Sequence, residues 1–153
     1  MKLKLIVLVL VLAVICIIGC SKSKNISPYQ TAIVGKWGYT ADTITYYYNG
    51  KLNAIITGGS VGTNNTYEFN SNGTGVKAIS NVLVSFTYSL VANQLTINLP
   101  AYSTNTIEVQ ASVENATINT LNATNMSLYF DSNVLDESGL DDETQEHAYF
   151  KKQ

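Results

Sequence analysis

The chain has 153 residues, with nine lysines, no arginine and eleven acidic residues, and its formal net charge is −2. Nucleic-acid-binding proteins need a basic surface and usually read base edges with arginine, so this composition excludes nucleic acid as a partner. Both cysteines, Cys16 and Cys20, lie near the N-terminus. The rest of the chain therefore has no disulfide and no cysteine ligand for a metal.

The N-terminal segment has the pattern of an export signal. Two lysines among the first four residues precede an unbroken apolar run of 14 residues, from Leu5 to Ile18. Such a run suits the apolar part of a signal peptide but is shorter than the ~20 residues that cross a bilayer as a helix. We therefore predict that residues 1–19 are a signal peptide and not a permanent membrane helix.

The end of this segment resembles the lipobox of bacterial lipoproteins, because a small residue, Gly19, directly precedes Cys20. In that family the cysteine thiol receives diacylglycerol, the signal peptide is cut off before it, and an acyl chain such as palmitate is added to the new N-terminus. The resemblance implies that Cys20 is the lipidated first residue of the mature protein. We expect no other cofactor. Two or three acyl chains suffice for stable anchoring, whereas one is marginal.

Residues 20–31 are mostly polar and contain Pro28, so we interpret them as a lipidated tether. Residues 32–153 then form the folded part. About 120 residues suffice for one hydrophobic core and are too few for two, so we expect a single domain.

Four segments of this domain alternate apolar and polar residues, with one apolar face each. The expected inward residues are Val82, Val84, Phe86, Tyr88 and Leu90; Leu95, Ile97 and Leu99; Ile107, Val109, Ala111 and Val113; and Met126, Leu128 and Phe130. This period of two is typical of antiparallel strands with one face in the core.

Turn residues separate the segments. Asn49 and Gly50 fit a two-residue hairpin turn because both tolerate positive φ, and residues 70–73, 92–94 and 122–125 are further turn candidates. The sequence therefore predicts an all-β, antiparallel domain of 8–10 strands. A closed barrel is the first choice and a β-sandwich is the alternative.

Several motifs together resemble the lipocalin-like lipoproteins of Gram-negative bacteria. They are Gly35 to Trp37, Tyr67 to Gly75, Phe86 to Leu90 with Leu95 to Ile97, and Tyr149 to Gln153. The resemblance implies a calycin-type β-barrel over residues 32–153. In lipocalins the tryptophan of the first strand lies across the barrel base, under an arginine from the chain end. Trp37 matches this tryptophan, and Lys151 and Lys152 are the candidates for the arginine's place.

No residue pattern indicates an enzyme or a metal site. His147 is the only histidine, has no triad or zinc motif around it, and is expected at the start of the last strand. Acidic residues crowd one late segment, but their spacing differs from that of an EF-hand, so we predict a solvated loop between the last two strands. They are Asp131, Asp136, Glu137, Asp141, Asp142, Glu143 and Glu146. Glu68, Glu108 and Glu114 are expected to point outward, which argues against paired-carboxylate glycosidase chemistry.

Two functions remain open at this stage. The first is a non-enzymatic, membrane-anchored binding protein for a small apolar ligand, with Trp37, Phe86 and Tyr88 as candidate contacts. The alternative is a filled interior whose outer surface binds a partner protein or a glycan, with the run of tyrosines from Tyr46 to Tyr48 as the first candidate. Ser21 follows Cys20, and no acidic stretch comes directly after it. By the sorting rules of such lipoproteins we expect the outer membrane, with the domain facing the periplasm.

Overall fold

The computed structural model describes residues 27–58, 65–79, 82–103, 108–135 and 141–153. The predicted signal peptide, Cys20 and most of the predicted tether lie outside these residues. Within the described ranges, no helix has the length and hydropathy needed to cross a membrane.

The described residues form one short helix, α1 (Pro28–Ala32), and eleven strands. The strands are β1 (Gly35–Tyr48), β2 (Lys51–Gly58), β3 (Thr66–Phe69), β4 (Thr74–Ile79), β5 (Val82–Val91), β6 (Gln94–Leu99), β7 (Tyr102–Ser103), β8 (Glu108–Val109), β9 (Ser112–Leu121), β10 (Asn125–Leu135) and β11 (Asp141–Lys152).

Eight of these strands close into an antiparallel barrel. The order around it is β1, β3, β4, β5, β6, β9, β10 and β11, and β11 pairs back onto β1, with Trp37 opposite Lys152. Strands β7 and β8 form a separate two-stranded ribbon. The prediction of an all-β antiparallel barrel is confirmed, and the sandwich alternative is not adopted. A barrel of eight strands has room inside for packed side chains or for one small ligand.

The alternating patterns in β5, β6 and β10 are confirmed. Their inward residues are buried, namely Val84, Phe86, Leu90, Leu95, Ile97, Leu99, Met126 and Leu128. Val82, Tyr88 and Phe130 are partly buried and pack against this core. The predicted hairpin turn between β1 and β2 is present, with φ of 50° at Asn49 and 69° at Gly50.

The pattern predicted for residues 107–114 is wrong at Ala111 and Val113, which are exposed, and Ile107 lies outside the described residues. A two-residue strand, β8, ends at Val109, and β9 begins only at Ser112. In β9 the inward phase is set by Ala116 and Ile118, which are buried. Val113 is therefore outward and 59% exposed, and Glu114 shares the inner face.

Helix α1 closes one end of the barrel. Ser27 and Gln30 form a capping box around Pro28, and the side-chain amide of Gln30 donates a hydrogen bond to the Leu90 carbonyl at 3.1 Å. Tyr29 packs on the core, and Ile33 is fully buried. Helix α1 thus begins inside residues 20–31, the segment predicted as a tether, and Tyr29 is its residue that packs on the core.

Trp37 fills this closed end. Its side chain is fully buried, and its indole Nε1 donates a hydrogen bond to the Ile33 carbonyl at 2.7 Å. The Lys152 ammonium lies 5.1 Å from the centre of the Trp37 ring and donates a hydrogen bond to the Val34 carbonyl. Of the two lysines considered as partners of Trp37, Lys152 is the one that lies over its ring.

Strand β1 is longer than the barrel wall and has two partners along one edge. Its first part pairs with β3, with Trp37 opposite Tyr67, and its second part pairs with β2, with Ile44 opposite Ile56. Strand β2 is the last strand at that edge of the described sheet. The β1–β2 hairpin therefore projects beyond the end of the barrel opposite α1, which we call the open end.

The late acidic segment differs from the prediction of one solvated loop. Asp131 lies in β10, and β11 already begins at Asp141, so Glu143 and Glu146 are strand residues. The connection between the two strands, residues 136–140, lies outside the described residues. His147 lies in the middle of β11 and not at its start.

Candidate functional site

The barrel interior is filled at the closed end and hollow towards the open end. A cavity of about 360 Å³ lies there, which we call the open-end cavity. Strands β1, β3, β4, β9, β10 and β11 contribute its walls, with aromatic side chains on one part and charged side chains on another.

Aromatic rings form the apolar part of the cavity wall. The Phe150 ring packs edge-to-face against Tyr39, with centroids 5.5 Å apart, and against Tyr67 at 5.6 Å. Phe130 and Ala148 complete this wall from β10 and β11. Alternation explains the placement, because Phe150, Ala148 and Glu146 follow each other at every second position of β11 and so share the inner face.

An ion pair crosses the charged part of the cavity. The Lys77 ammonium lies 2.6 Å from Glu114 Oε1, and the two side chains are 16% and 25% exposed. The Tyr67 hydroxyl donates a hydrogen bond to Glu114 Oε2 at 3.1 Å. The same ammonium lies 4.8 Å from the centre of the Tyr67 ring. Glu114 thus has one partner on each carboxylate oxygen.

This arrangement has little value for stability. Removing two charges from water costs several kcal/mol per ion, and an apolar pair of similar volume often gives an equal or more stable core. Departures from the apolar-inside pattern are expected mainly at functional sites. The charged part of the open-end cavity is therefore the candidate functional site.

Glu146 adds a further carboxyl group to the cavity. Burial raises its pKa above the ordinary value, and the negative charges of Asp42 and Glu114 raise it further, while Lys77 opposes them. Burial and the neighbouring Asp42 carboxylate also raise the pKa of Tyr39 above its ordinary value. Among the described residues around Glu146, acidic groups therefore outnumber the single lysine.

The chain matches no protein-family model, no curated protein and no solved structure. The geometry of the site combines an aromatic wall, an ion pair and an additional carboxyl group. Within the described ranges, no three histidine, cysteine or carboxylate side chains are grouped so that they could hold a metal ion.

The three residues predicted as ligand contacts do not line the open-end cavity. Trp37 lies in the closed end. Phe86 and Tyr88 pack edge-to-face against Phe69, with centroids 5.5 Å and 5.0 Å from that ring. The Tyr88 hydroxyl donates a hydrogen bond to the Asn70 carbonyl at 2.6 Å, which fixes the ring in place. These side chains form the packed core beneath the cavity.

The sequence reasoning missed the three charged residues that do line the cavity. Glu114 was expected outside and Glu146 in a loop. However, Glu114 lies two residues before the buried Ala116, and Glu146 lies two residues before the buried Ala148. This alternation could have predicted that both glutamates point inward. Lys77 had no such signal, because β4 carries few large apolar residues to mark its inner face.

His147 lies on the outer face of β11, where its ring is 4.8 Å from that of Tyr129.

The inward position of Glu114 contradicts the expectation that this side chain points outward, which was the argument against glycosidase chemistry. Glu114 and Glu146 face the same cavity, so paired-carboxylate chemistry is not excluded by an outward position of Glu114.

Proposed function

We propose that the protein is a lipid-anchored, non-enzymatic binding protein whose barrel holds a small, largely apolar molecule in the open-end cavity. The observation that supports this proposal is the cavity itself, about 360 Å³ with an aromatic wall above a filled core. Small-molecule sites range over about 300–1,000 Å³ and are mostly apolar with a few placed polar groups. The cavity fits the lower end of that range.

The anchor in this proposal is the lipid on Cys20, with the outer membrane as its location and the periplasm as the side that the domain faces. The chain enters the barrel at the closed end, at Ser27 and α1. Seven residues from Cys20 to residue 26 reach at most about 25 Å when fully extended. The closed end would thus stay near the membrane, and the open-end cavity would be accessible from the periplasm.

Replacement of the lipidated residue tests the anchor. Cys20→Ser removes the thiol that receives diacylglycerol, so we expect an unprocessed precursor that carries no lipid. Immunoblotting and labelling with a radioactive fatty acid would detect both changes. Normal maturation of this variant would contradict the lipoprotein proposal, and cleavage by protease added to intact cells would contradict the inward orientation.

The absence of catalysis in this proposal rests on Glu114. Each of its carboxylate oxygens has a partner, Lys77 or the Tyr67 hydroxyl, and both partners stabilise the carboxylate and lower its reactivity as a nucleophile or a base. We expect chromogenic aryl glycosides and esters to remain uncleaved. Hydrolysis that is lost in Glu114→Gln would contradict the proposal and assign paired-carboxylate chemistry to the cavity.

Native mass spectrometry of the protein purified from its host tests the binding function. We expect a small molecule at a stoichiometry of one, released when the protein is denatured. Phe130→Ala removes part of the aromatic wall and should reduce the bound fraction, whereas Thr87→Ala on the outer face of β5 should leave it unchanged. Equal occupancy in the two variants would place the molecule outside the open-end cavity.

The alternative, a surface that binds a partner protein, has one observation in its favour. Strand β2 has an edge with no partner among the described strands, and its Leu52, Ile55 and Ile56 are more than half exposed. A partner strand added at that edge would be the mode of binding. Ile55→Lys would abolish such binding and leave occupancy of the open-end cavity unchanged, which distinguishes the two functions.

A further inference from the structure

We infer that the molecule held in the open-end cavity carries a positive charge, and that it is an amphiphilic amine whose ammonium group lies beside Glu146. This inference rests on the proposed binding function and names the chemical class of its ligand. Its basis is the balance and placement of charges around the cavity.

Two carboxyl groups line this space, Glu114 from β9 and Glu146 from β11. A third, Asp42 of β1, stands opposite Ala148 on the neighbouring strand, and its negative charge raises the pKa of Glu146. Lys77 of β4 is the only described lysine that lines the cavity. One cation therefore accompanies two lining carboxyl groups and a third beside them.

Lys77 is already engaged. Its ammonium is 2.6 Å from Glu114 and lies over the Tyr67 ring. It therefore offers little to the carboxylate of a ligand, which would have to break the pair and leave Glu114 uncompensated. An uncompensated charge in a partly buried site costs several kcal/mol. A fatty acid or another anionic amphiphile is thus disfavoured.

Among the described residues, no lysine forms an ion pair with Glu146. Burial and the charges of Asp42 and Glu114 disfavour its ionised form, and the cation that opposes them, Lys77, is paired with Glu114. A second cation beside Glu146 would neutralise this excess. Because opposite β1 and β11 residues share a face, Ile44 stands directly across from Glu146 and gives that position an apolar border.

The apolar part of the ligand then has a defined place. Phe130 and Phe150 lie on the same inner face as Glu146, with Phe130 directly opposite it across the β10–β11 pair. An ammonium near the Glu146 carboxylate thus places an attached hydrocarbon or aromatic body against these rings. An amine with an apolar body therefore contacts the Glu146 carboxylate and the aromatic wall at the same time.

Three probes with the same naphthyl body test this inference. They end in an ammonium, a hydroxyl or a carboxylate group, and their binding to the full-length protein in a neutral detergent is measured by calorimetry, with micelles alone as the blank. We expect the ammonium probe to bind about tenfold more tightly than the hydroxyl probe, and the carboxylate probe to bind most weakly. The affinity of the ammonium probe should rise with pH as Glu146 loses its proton.

Matched variants locate the effect. Glu146→Gln should lower affinity for the ammonium probe about tenfold and remove its pH dependence in the acidic range, with little change for the hydroxyl probe. The same change at the outward Glu68 is the control and should change none of the three affinities. Phe130→Ala should weaken all three probes, since it removes apolar contact that they share.

The outcomes separate the two proposals. Binding of all three probes with equal affinity, or tightest binding of the carboxylate probe, would overturn the amine inference while the binding function stands. An ammonium preference that survives Glu146→Gln would also overturn it. If none of the three probes binds, the proposed binding function fails and the amine inference fails with it.

Discussion

At the scale of single residues, Glu146 shows how the candidate site and stability oppose each other. Burial, Asp42 and Glu114 raise its pKa above the ordinary value of a glutamate. A carboxyl group whose pKa is raised on folding binds its proton more tightly in the folded state than in the unfolded state. The protein therefore loses stability as pH rises from the ordinary carboxyl pKa through the raised pKa of Glu146.

Replacing this carboxyl group should remove that loss. We expect Glu146→Gln to be as stable as the wild type at acidic pH and to have a melting temperature a few degrees higher at neutral pH. Thermal unfolding followed by circular dichroism between pH 4 and pH 8 measures this difference. Glu68→Gln is the control and should behave like the wild type. A neutral or destabilising effect of Glu146→Gln at pH 7 would show that Glu146 meets a compensating partner in the folded protein.

The core beneath the cavity gives a second prediction at this scale. Phe86 is 3% exposed and packs against Phe69 and Tyr67, while its neighbour Thr87 points outward. Phe86→Ala should lower the free energy of unfolding by roughly 3–5 kcal/mol. Thr87→Ala should change it by less than about 0.5 kcal/mol, as is usual for surface positions. Urea unfolding of both variants measures the contrast, and equal losses would contradict the register of β5.

At the scale of elements, β2 is the strand of the β1–β2 hairpin that lies outside the closed barrel. Its turn places Asn49 and Gly50 at φ of 50° and 69°. Asparagine tolerates this left-handed region, whereas alanine pays about 1 kcal/mol there. Since β2 is not one of the eight barrel strands, its loss would leave the barrel intact.

We therefore expect Gly50→Ala to loosen β2 alone. Amide hydrogen exchange should accelerate at the β2 positions that pair with β1, such as Ile56, while exchange in β5 and β6 and the melting temperature stay near wild-type values. Asn49→Gly keeps the turn conformation and serves as the control. A cooperative loss of protection across the barrel would mean that β2 is an integral part of it.

Alternation predicted the strands well where large apolar residues mark one face throughout. Val84, Phe86 and Leu90 fixed the inner face of β5, and Leu95 and Ile97 that of β6. It failed at residues 107–114 because one apparent run combines a two-residue strand, a connection and the start of β9. Ala111 and Val113 are apolar but exposed, so the pattern did not reveal that Glu114 begins the inward positions of β9.

The candidate site was less predictable than the fold for a physical reason. Reading polar residues as outward assumes that the barrel interior is apolar, and a partly polar cavity reverses this rule. Lys77 and Glu114 are inside because they neutralise each other at 2.6 Å, and such compensation depends on contact between strands that are distant in sequence. The closed end was easier, because Trp37 and the chain end belong to motifs that resemble a known family.

At the scale of the whole molecule, the two ends of the barrel have different roles. Helix α1, Trp37 and Lys152 close one end, and the chain towards Cys20 leaves from there. The open end holds the cavity and the projecting β1–β2 hairpin. This polarity agrees with the proposal of a domain that is anchored by its closed end and binds a small molecule at the other.

Chemical-shift mapping tests the central claim, that the open-end cavity is the ligand site, most directly. The hydroxyl-ended naphthyl probe is neutral, so its titration into the ¹⁵N-labelled mature protein does not depend on the amine inference. We predict saturable shifts for the amides of Tyr39, Phe130 and Ala148. The indole signal of Trp37, the single tryptophan, lies in the closed end and should not move. Shifts confined to the Trp37 indole or to β2, or no saturable shift at any residue, would contradict the account.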